Sequence, residues 1–145
     1  MKIAIANDHA GVDYKNLLVR HLTDKGYEVI NLGTDTALSV DYPDYAEKVA
    51  KAVQGKNADL GILICGTGIG MSIAANKFKG IRAALCGDCY SAELTRKHND
   101  ANVLCLGARV LGSDLMIKIA DTFLSASFEG GKHAVRLGKI ENFEK

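Results

Sequence analysis

Three apolar runs in this chain do not alternate with polar residues, and they restrict its fold more than anything else does. They are Lys2 to Ala6 (KIAIA), Leu60 to Cys65 (LGILIC) and Asn102 to Leu106 (NVLCL). A strand with one wet face alternates polar and apolar residues, whereas a strand covered on both faces has no reason to. Tyr27 to Asn31 and Ile81 to Cys86 add two further strand-like runs. The intervening stretches have helical period. Ala46, Val49, Ala50 and Val53 fall at i, i+3, i+4 and i+7, and Tyr14, Leu18 and Leu22 form a second stripe. Gly26 is placed to end that second helix, and Pro43 suits a first helical turn, where its missing N–H costs nothing. Asp88 is expected to cap a helix from Cys89 to about Lys97. Two more helices are expected, from Asp114 to Leu124 and from Lys132 to about Phe143. Strands alternating with helices through right-handed crossovers predict a three-layer, doubly wound α/β fold. This Rossmann-like or flavodoxin-like arrangement has a parallel five-stranded sheet with helices on both faces.

At 145 residues the chain has the size of one domain, and without repeats or linkers a single domain is expected over residues 1–145. A net charge of +1 gives no bulk electrostatic reason to bind nucleic acid or an anionic membrane. No run approaches the roughly 20 apolar residues of a membrane helix. The first apolar run is too short for a signal peptide, so a cytoplasmic location is expected. Cys65, Cys86 and Cys105 each lie in or at the end of an apolar run, which predicts buried, reduced thiols.

In a doubly wound sheet, ligands sit beyond the carboxyl ends of the strands. The most informative such segment is Cys65-Gly66-Thr67-Gly68-Ile69-Gly70-Met71-Ser72, at a strand-to-helix junction. Glycines let backbone N–H groups approach a ligand, and a helix start favours negative charge. A thiol there is expected to be reactive, the bland alternative being a buried cysteine before a tight turn. Met71 stands where a dinucleotide fingerprint needs its third glycine, and no Gly-Lys-Ser/Thr follows. The loop therefore suits a smaller anion. Asp8-His9 ends the first strand and could relay protons, bind phosphate, or simply cap a turn. His98-Asn99-Asp100 reads as a polar loop when taken alone. Lys132 and Arg136, at i and i+4, repel each other unless an anion lies between them; otherwise they are a solvated basic face. Cys86 and Cys89 have redox-motif spacing but read as structural. His21 reads as a surface histidine, and no pair of histidines and cysteines has convincing metal-ligand spacing.

Taken together, several segments resemble the ribose-5-phosphate isomerase B family: NDHAG from Asn7, DYPDYA from Asp41, GILICGTGIGMSIAANK from Gly61, GIRA from Gly80, RKHNDAN from Arg96, GARV from Gly107 and FEGGKHAVR from Phe128. The resemblance spans nearly the whole chain. It implies an aldose–ketose isomerase with neither metal nor cofactor, which opens the sugar ring and moves a proton between C2 and C1 through a cis-enediolate. By that resemblance Cys65 is the base and Thr67 assists it. Relatives with serine at the cysteine position supply a glutamate where Met71 stands, so this chain falls among the cysteine users. The N–H groups of Gly66, Gly68 and Gly70 would stabilise the enediolate oxygen. His98 with Asp8 resembles the ring-opening pair, Asn99 a hydroxyl-binding residue, and His9, Arg109 and Arg136 the phosphate binders. Lys132 stands where many relatives carry arginine, which keeps the charge but loses the fork. Family members form homodimers or homotetramers whose sites draw on two subunits.

The leading expectation is interconversion of D-ribose 5-phosphate and D-ribulose 5-phosphate in the non-oxidative pentose phosphate route. The alternative within the family is a six-carbon aldose phosphate, allose 6-phosphate or galactose 6-phosphate. Two other classes remain open at this point: a nucleotide-binding module without chemistry, and a thiol redox protein using Cys86 and Cys89.

Overall fold

A computed structural model describes residues 1–144. Among them run five strands, β1 (Lys2–Asn7), β2 (Glu28–Asn31), β3 (Leu60–Cys65), β4 (Ala83–Leu85) and β5 (Val103–Gly107). The helices are α1 (Val12–Asp24), α2 (Tyr42–Gln54), α3 (Ile69–Ala75), α4 (Cys89–Asn99), α5 (Ser113–Ser125) and α6 (Lys132–Glu141). All strands are parallel, in the order β2-β1-β3-β5-β4. A flavodoxin-like sheet would run 2-1-3-4-5; here the last two strands exchange places. Burial explains the exchange. Every residue of β5 is buried, which suits an interior strand, whereas short β4 keeps exposed Leu85 at the sheet edge.

Two apolar layers flank the sheet, and side-chain alternation assigns each strand residue to one of them. Ile3, Ile5, Ile62, Ile64, Leu104 and Leu106 join residues of α1, α4 and α5. Ala4, Ala6, Leu63, Cys65, Val103 and Cys105 face residues of α2 and α3. The second layer holds smaller side chains, so its helices sit closer. A Cβ on Gly61 would lie 2.4 Å from Val49 Cγ1 of α2, which makes glycine a requirement of that approach.

The elements end where local chemistry ends them. Gly26, at φ +94°, closes α1; its N–H donates to the Thr23 carbonyl, and the Tyr27 N–H donates to that of Leu22. This is the paired bonding of a Schellman cap. Asp88 caps α4 by accepting from the Ser91 N–H at 2.7 Å, as its position implied.

Several expected boundaries shift. The strand read from Ile81 to Cys86 shrinks to Ala83–Leu85; just before it the Arg82 N–H donates to Asn102 Oδ1 at 2.8 Å, and Cys86 lies just past the strand. The strand from Asn102 moves on by one residue to end at Gly107. α4 runs past Lys97 to Asn99, because the left-handed turn that stops it is at Asp100 (φ +45°). His98 and Asn99 are therefore helical and not part of a loop. α6 stops at Glu141, short of Phe143. Among the described residues no helix is long and apolar enough to cross a membrane.

Candidate active site

Strand order reverses direction between β1 and β3, which opens a crevice at their carboxyl ends. The segment from Cys65 to Gly70 turns there. Gly68 holds φ +80°, and its N–H donates to Cys65 Sγ at 3.2 Å. The Thr67 hydroxyl accepts from the Ile69 N–H at 3.3 Å, which fixes the next turn. Behind the loop stands the end of β5. Ala108 and Arg109 donate their N–H groups to the carbonyls of Cys65 and Gly66, each at 2.9 Å. The Arg109 side chain lies across Gly66, with its Nη1 3.3 Å from where a Cβ would stand. The Tyr42 ring occupies the same relation to Gly70, at 2.6 Å. The sequence reading gave Tyr42 no role, and only its place in the Asp41 to Ala46 motif hinted at one.

Asp8 and His9 form the second wall. Buried Asp8 accepts from the Ala10 N–H at 2.9 Å and caps the short 3-10 turn His9–Gly11, which leaves its second carboxylate oxygen free for other work. The capping alternative raised from sequence is thus present in fact. His9 Nδ1 accepts from the Val40 N–H at 3.2 Å. That bond places the proton of a neutral ring on Nε2, making it a donor for an anion. Two contacts brace the loop carrying Val40. Asn7 Nδ2 donates to the carbonyls of Asp8 (2.8 Å) and Thr34 (3.1 Å), and the buried Lys15 ammonium pairs with Asp35.

The remaining sequence candidates lie elsewhere. α4 descends from the carboxyl end of β4 to the amino end of β5, so His98 and Asn99 sit at the far end of the sheet. Along β5, that separates them from the Cys65 loop by on the order of 15 Å. α6 is tied to the same far end: the Glu129 N–H donates to the Lys97 carbonyl at 3.0 Å, and Glu141 lies 3.8 Å from Arg82. Exposed Lys132 and Arg136 belong to this second group. His98 and His133 stack there, with centroids 4.2 Å apart and planes within 9°. Glu129 Oε1 lies 3.4 Å from His98 Nε2 and 3.7 Å from His133 Nε2. Burial first, then the neighbouring His98 and Lys132, holds the His133 pKa below the usual histidine value. Neither Glu129 nor His133 drew a role from sequence, although both lie in the quoted C-terminal motif. One chain thus brings together Asp8, His9, Cys65, Thr67, the glycines and Arg109. It does not bring them to His98, Asn99, Lys132 or Arg136.

All four cysteines are free. Burial, with Asp88 nearby, pushes the Cys86 thiol up to about 11. Burial also raises Cys105. Redox dithiols require the opposite shift, so Cys86 is a poor partner for Cys89. His21 is not a bare surface histidine: its Nε2 lies 2.9 Å from Asp121 Oδ1, and Lys25 Nζ lies 3.1 Å from Asp121 Oδ2.

A family model described as Ribose/Galactose Isomerase matches residues 3–140. The Escherichia coli (strain K12) protein named ribose-5-phosphate isomerase B is 52% identical over 144 residues, covering 99% of this chain and 97% of that one. Among solved structures, Clostridium thermocellum ribose-5-phosphate isomerase B has a TM-score of 0.98 at 55% identity, over 99% of this chain and 97% of the other. The Mycoplasma genitalium ribose-5-phosphate isomerase B, solved with bound ribulose-5-phosphate, has a TM-score of 0.94 at 47% identity, over 99% and 95%.

Proposed function

Since the chain belongs to the ribose/galactose isomerase family, we propose a reaction course for it in which Cys65 is the base. The reaction is the interconversion of D-ribose 5-phosphate and D-ribulose 5-phosphate. His98 and Asp8 open the sugar ring by moving a proton from the anomeric hydroxyl to the ring oxygen. The Cys65 thiolate then takes the C2 proton of the open aldose and returns it to C1, while a hydroxyl proton passes from O2 to O1. Negative charge grows on oxygen between these steps. N–H groups of the Gly66 to Gly70 loop other than those of Gly68 and Ile69, which are held within the loop, stabilise that oxygen, and Thr67 assists beside them. His9, through Nε2–H, and Arg109 hold the phosphate together with Arg136 and Lys132. Asn99 binds a sugar hydroxyl. No step in this course calls for a metal or a cofactor.

One observation carries this reading: a thiol at a sheet's carboxyl edge that accepts the Gly68 N–H of a glycine loop, with the Arg109 side chain lying across neighbouring Gly66. The nucleotide-module reading has less to rest on, since the loop closes around Cys65 and offers no phosphate lysine. The expected test result is rapid turnover of ribose 5-phosphate in EDTA, abolished in a folded Cys65→Ala chain. Activity confined to allose 6-phosphate or galactose 6-phosphate would keep the chemistry and move the substrate. An active Cys65→Ala chain would remove Cys65 as the base.

The proposal extends to assembly. If Cys65 and His98 act on one sugar, they come from two copies, as a homodimer or a homotetramer built from it. Exposed Ile69, Leu85 and Val110 beside the Cys65 loop support this, because they flank a cleft of about 380 Å³ and offer apolar surface for a second copy. Free, mostly buried thiols and a phosphorylated substrate suit a single-domain cytoplasmic enzyme of the non-oxidative pentose phosphate route.

A further inference from the structure

We propose that His98, Glu129 and His133 form a capture site for a divalent transition-metal ion of the zinc class. Their ligand atoms all lie within 4.8 Å of one another. Tetrahedral zinc, with bonds of about 2.0–2.1 Å, draws its ligands to about 3.4 Å. The two carboxylate–imidazole distances, 3.4 and 3.7 Å, are already close to that. Two imidazoles and one carboxylate, with a position left open, are a donor set that binds zinc in preference to magnesium or calcium, which favour all-oxygen shells.

The scaffold supports capture. Glu129 and His133 stand four residues apart across the start of α6, and the Glu129 N–H bond to Lys97 laces them to the α4 turn bearing His98. The stacked rings both place Nε2 beside Glu129 Oε1, and Glu129 is exposed. Lys132 and Arg136 on the same helix oppose added positive charge and limit the affinity.

Metal capture has a functional consequence that rests on the ring-opening role proposed for His98. An imidazole whose Nε2 lone pair holds an ion can neither accept nor return the ring proton. Zinc is therefore an inhibitor, reversed by EDTA, and magnesium is not.

The test is calorimetric titration of Zn2+ into the full-length Cys65→Ala chain, which lacks the reactive thiol as a competing ligand. One ion per chain is expected. Loss of outer-shell partners alone weakens metal sites about 10–100-fold, so His133→Asn and Glu129→Gln should each weaken binding by at least about tenfold. His21→Asn should leave it unchanged. Zn2+ binding as tight in His133→Asn as in its parent would overturn the site. In chains that retain Cys65, the Zn2+ concentration that halves turnover should rise by about the same factor in Glu129→Gln. His133-dependent binding without any loss of turnover would uphold the metal site and overturn the ring-opening role of His98.

Discussion

Gly68→Ala tests whether the loop after β3 is shaped by geometry or merely tolerates glycine. Gly68 sits at φ +80°, where an alanine is strained by about 1–2 kcal/mol. The new Cβ would also stand 2.6 Å from Leu85 Cδ1, 2.9 Å from the Leu106 carbonyl carbon and 3.1 Å from its oxygen. The leucine tip can swing, but the backbone of β5, the sheet's buried interior strand, cannot. Relief must come from the loop, at an overpacking cost of about 1–3 kcal/mol. The melting temperature should fall by about 5–15 °C, at roughly 3 °C per kcal/mol for a chain of this size. The chain should still fold, since ordinary stability is about 5–15 kcal/mol. Moving the loop also carries the Gly68 N–H away from Cys65 Sγ and misaims the N–H groups proposed to stabilise the enediolate oxygen. A lost oxyanion donor costs about 10²–10³ in kcat. Gly70→Ala is the control. The three atoms nearest its Cβ all belong to the Tyr42 ring and hydroxyl, a side chain that can rotate outward, and its φ is not in the left-handed region. It should lose about tenfold or less in kcat, within reach of a small misplacement. Steady-state kinetics on ribose 5-phosphate, with thermal unfolding of the same samples, give both numbers. Wild-type kcat and melting temperature in Gly68→Ala would refute the account of the loop.

Two further outcomes follow from the same structure. Gly26→Ala places strain in the Schellman turn without a clash, since nothing lies within 4 Å of the new Cβ; it should cost about 1–2 kcal/mol in denaturant unfolding and leave kcat unchanged. For Cys86, a pKa raised to about 11 keeps the thiol protonated until pH rises toward that value. At pH 8 only about one molecule in a thousand carries the thiolate, so mass spectrometry after iodoacetamide should find half-exposed Cys89 labelled and Cys86 intact. A Cys86–Cys89 disulfide formed under mild oxidation would contradict this and revive the redox reading.

Much of the fold was legible because each strand's burial is written in its own residues. β3 and β5 lack alternation for the reason inferred, that both faces are covered, and the Ala46, Val49 and Ala50 stripe of α2 is buried as its period implied. Strand order was less legible. The exchange of β4 and β5 depends on which strand reaches the interior, and Ile81 to Cys86 looks as apolar in sequence as an interior strand does. At its start the Arg82 N–H is taken by the Asn102 side chain, a tertiary contact invisible in a linear reading. The candidate site divides in the same way. Glycine spacing around Cys65 announced a close backbone approach, and Gly66, Gly68 and Gly70 each have a neighbour that a Cβ would crowd. The place of His98 was misread because Asn99 and Asp100 look like loop residues, whereas α4 continues through Asn99. Glu129 and His133 were silent because their relation to His98 exists only once α6 packs at the end of α4.

Mixing two defective chains tests the central claim, that one site takes Cys65 from one copy and His98 from another. Cys65→Ala and His98→Asn should each be inactive alone. Mixed after dissociation and reassembled, they form hybrids in which one site regains both residues, so about a quarter of wild-type activity should return in a twofold-symmetric dimer. If sedimentation shows that hybrids form and the mixture still turns over no ribose 5-phosphate, the two residues do not meet across an interface, and the proposed site is wrong.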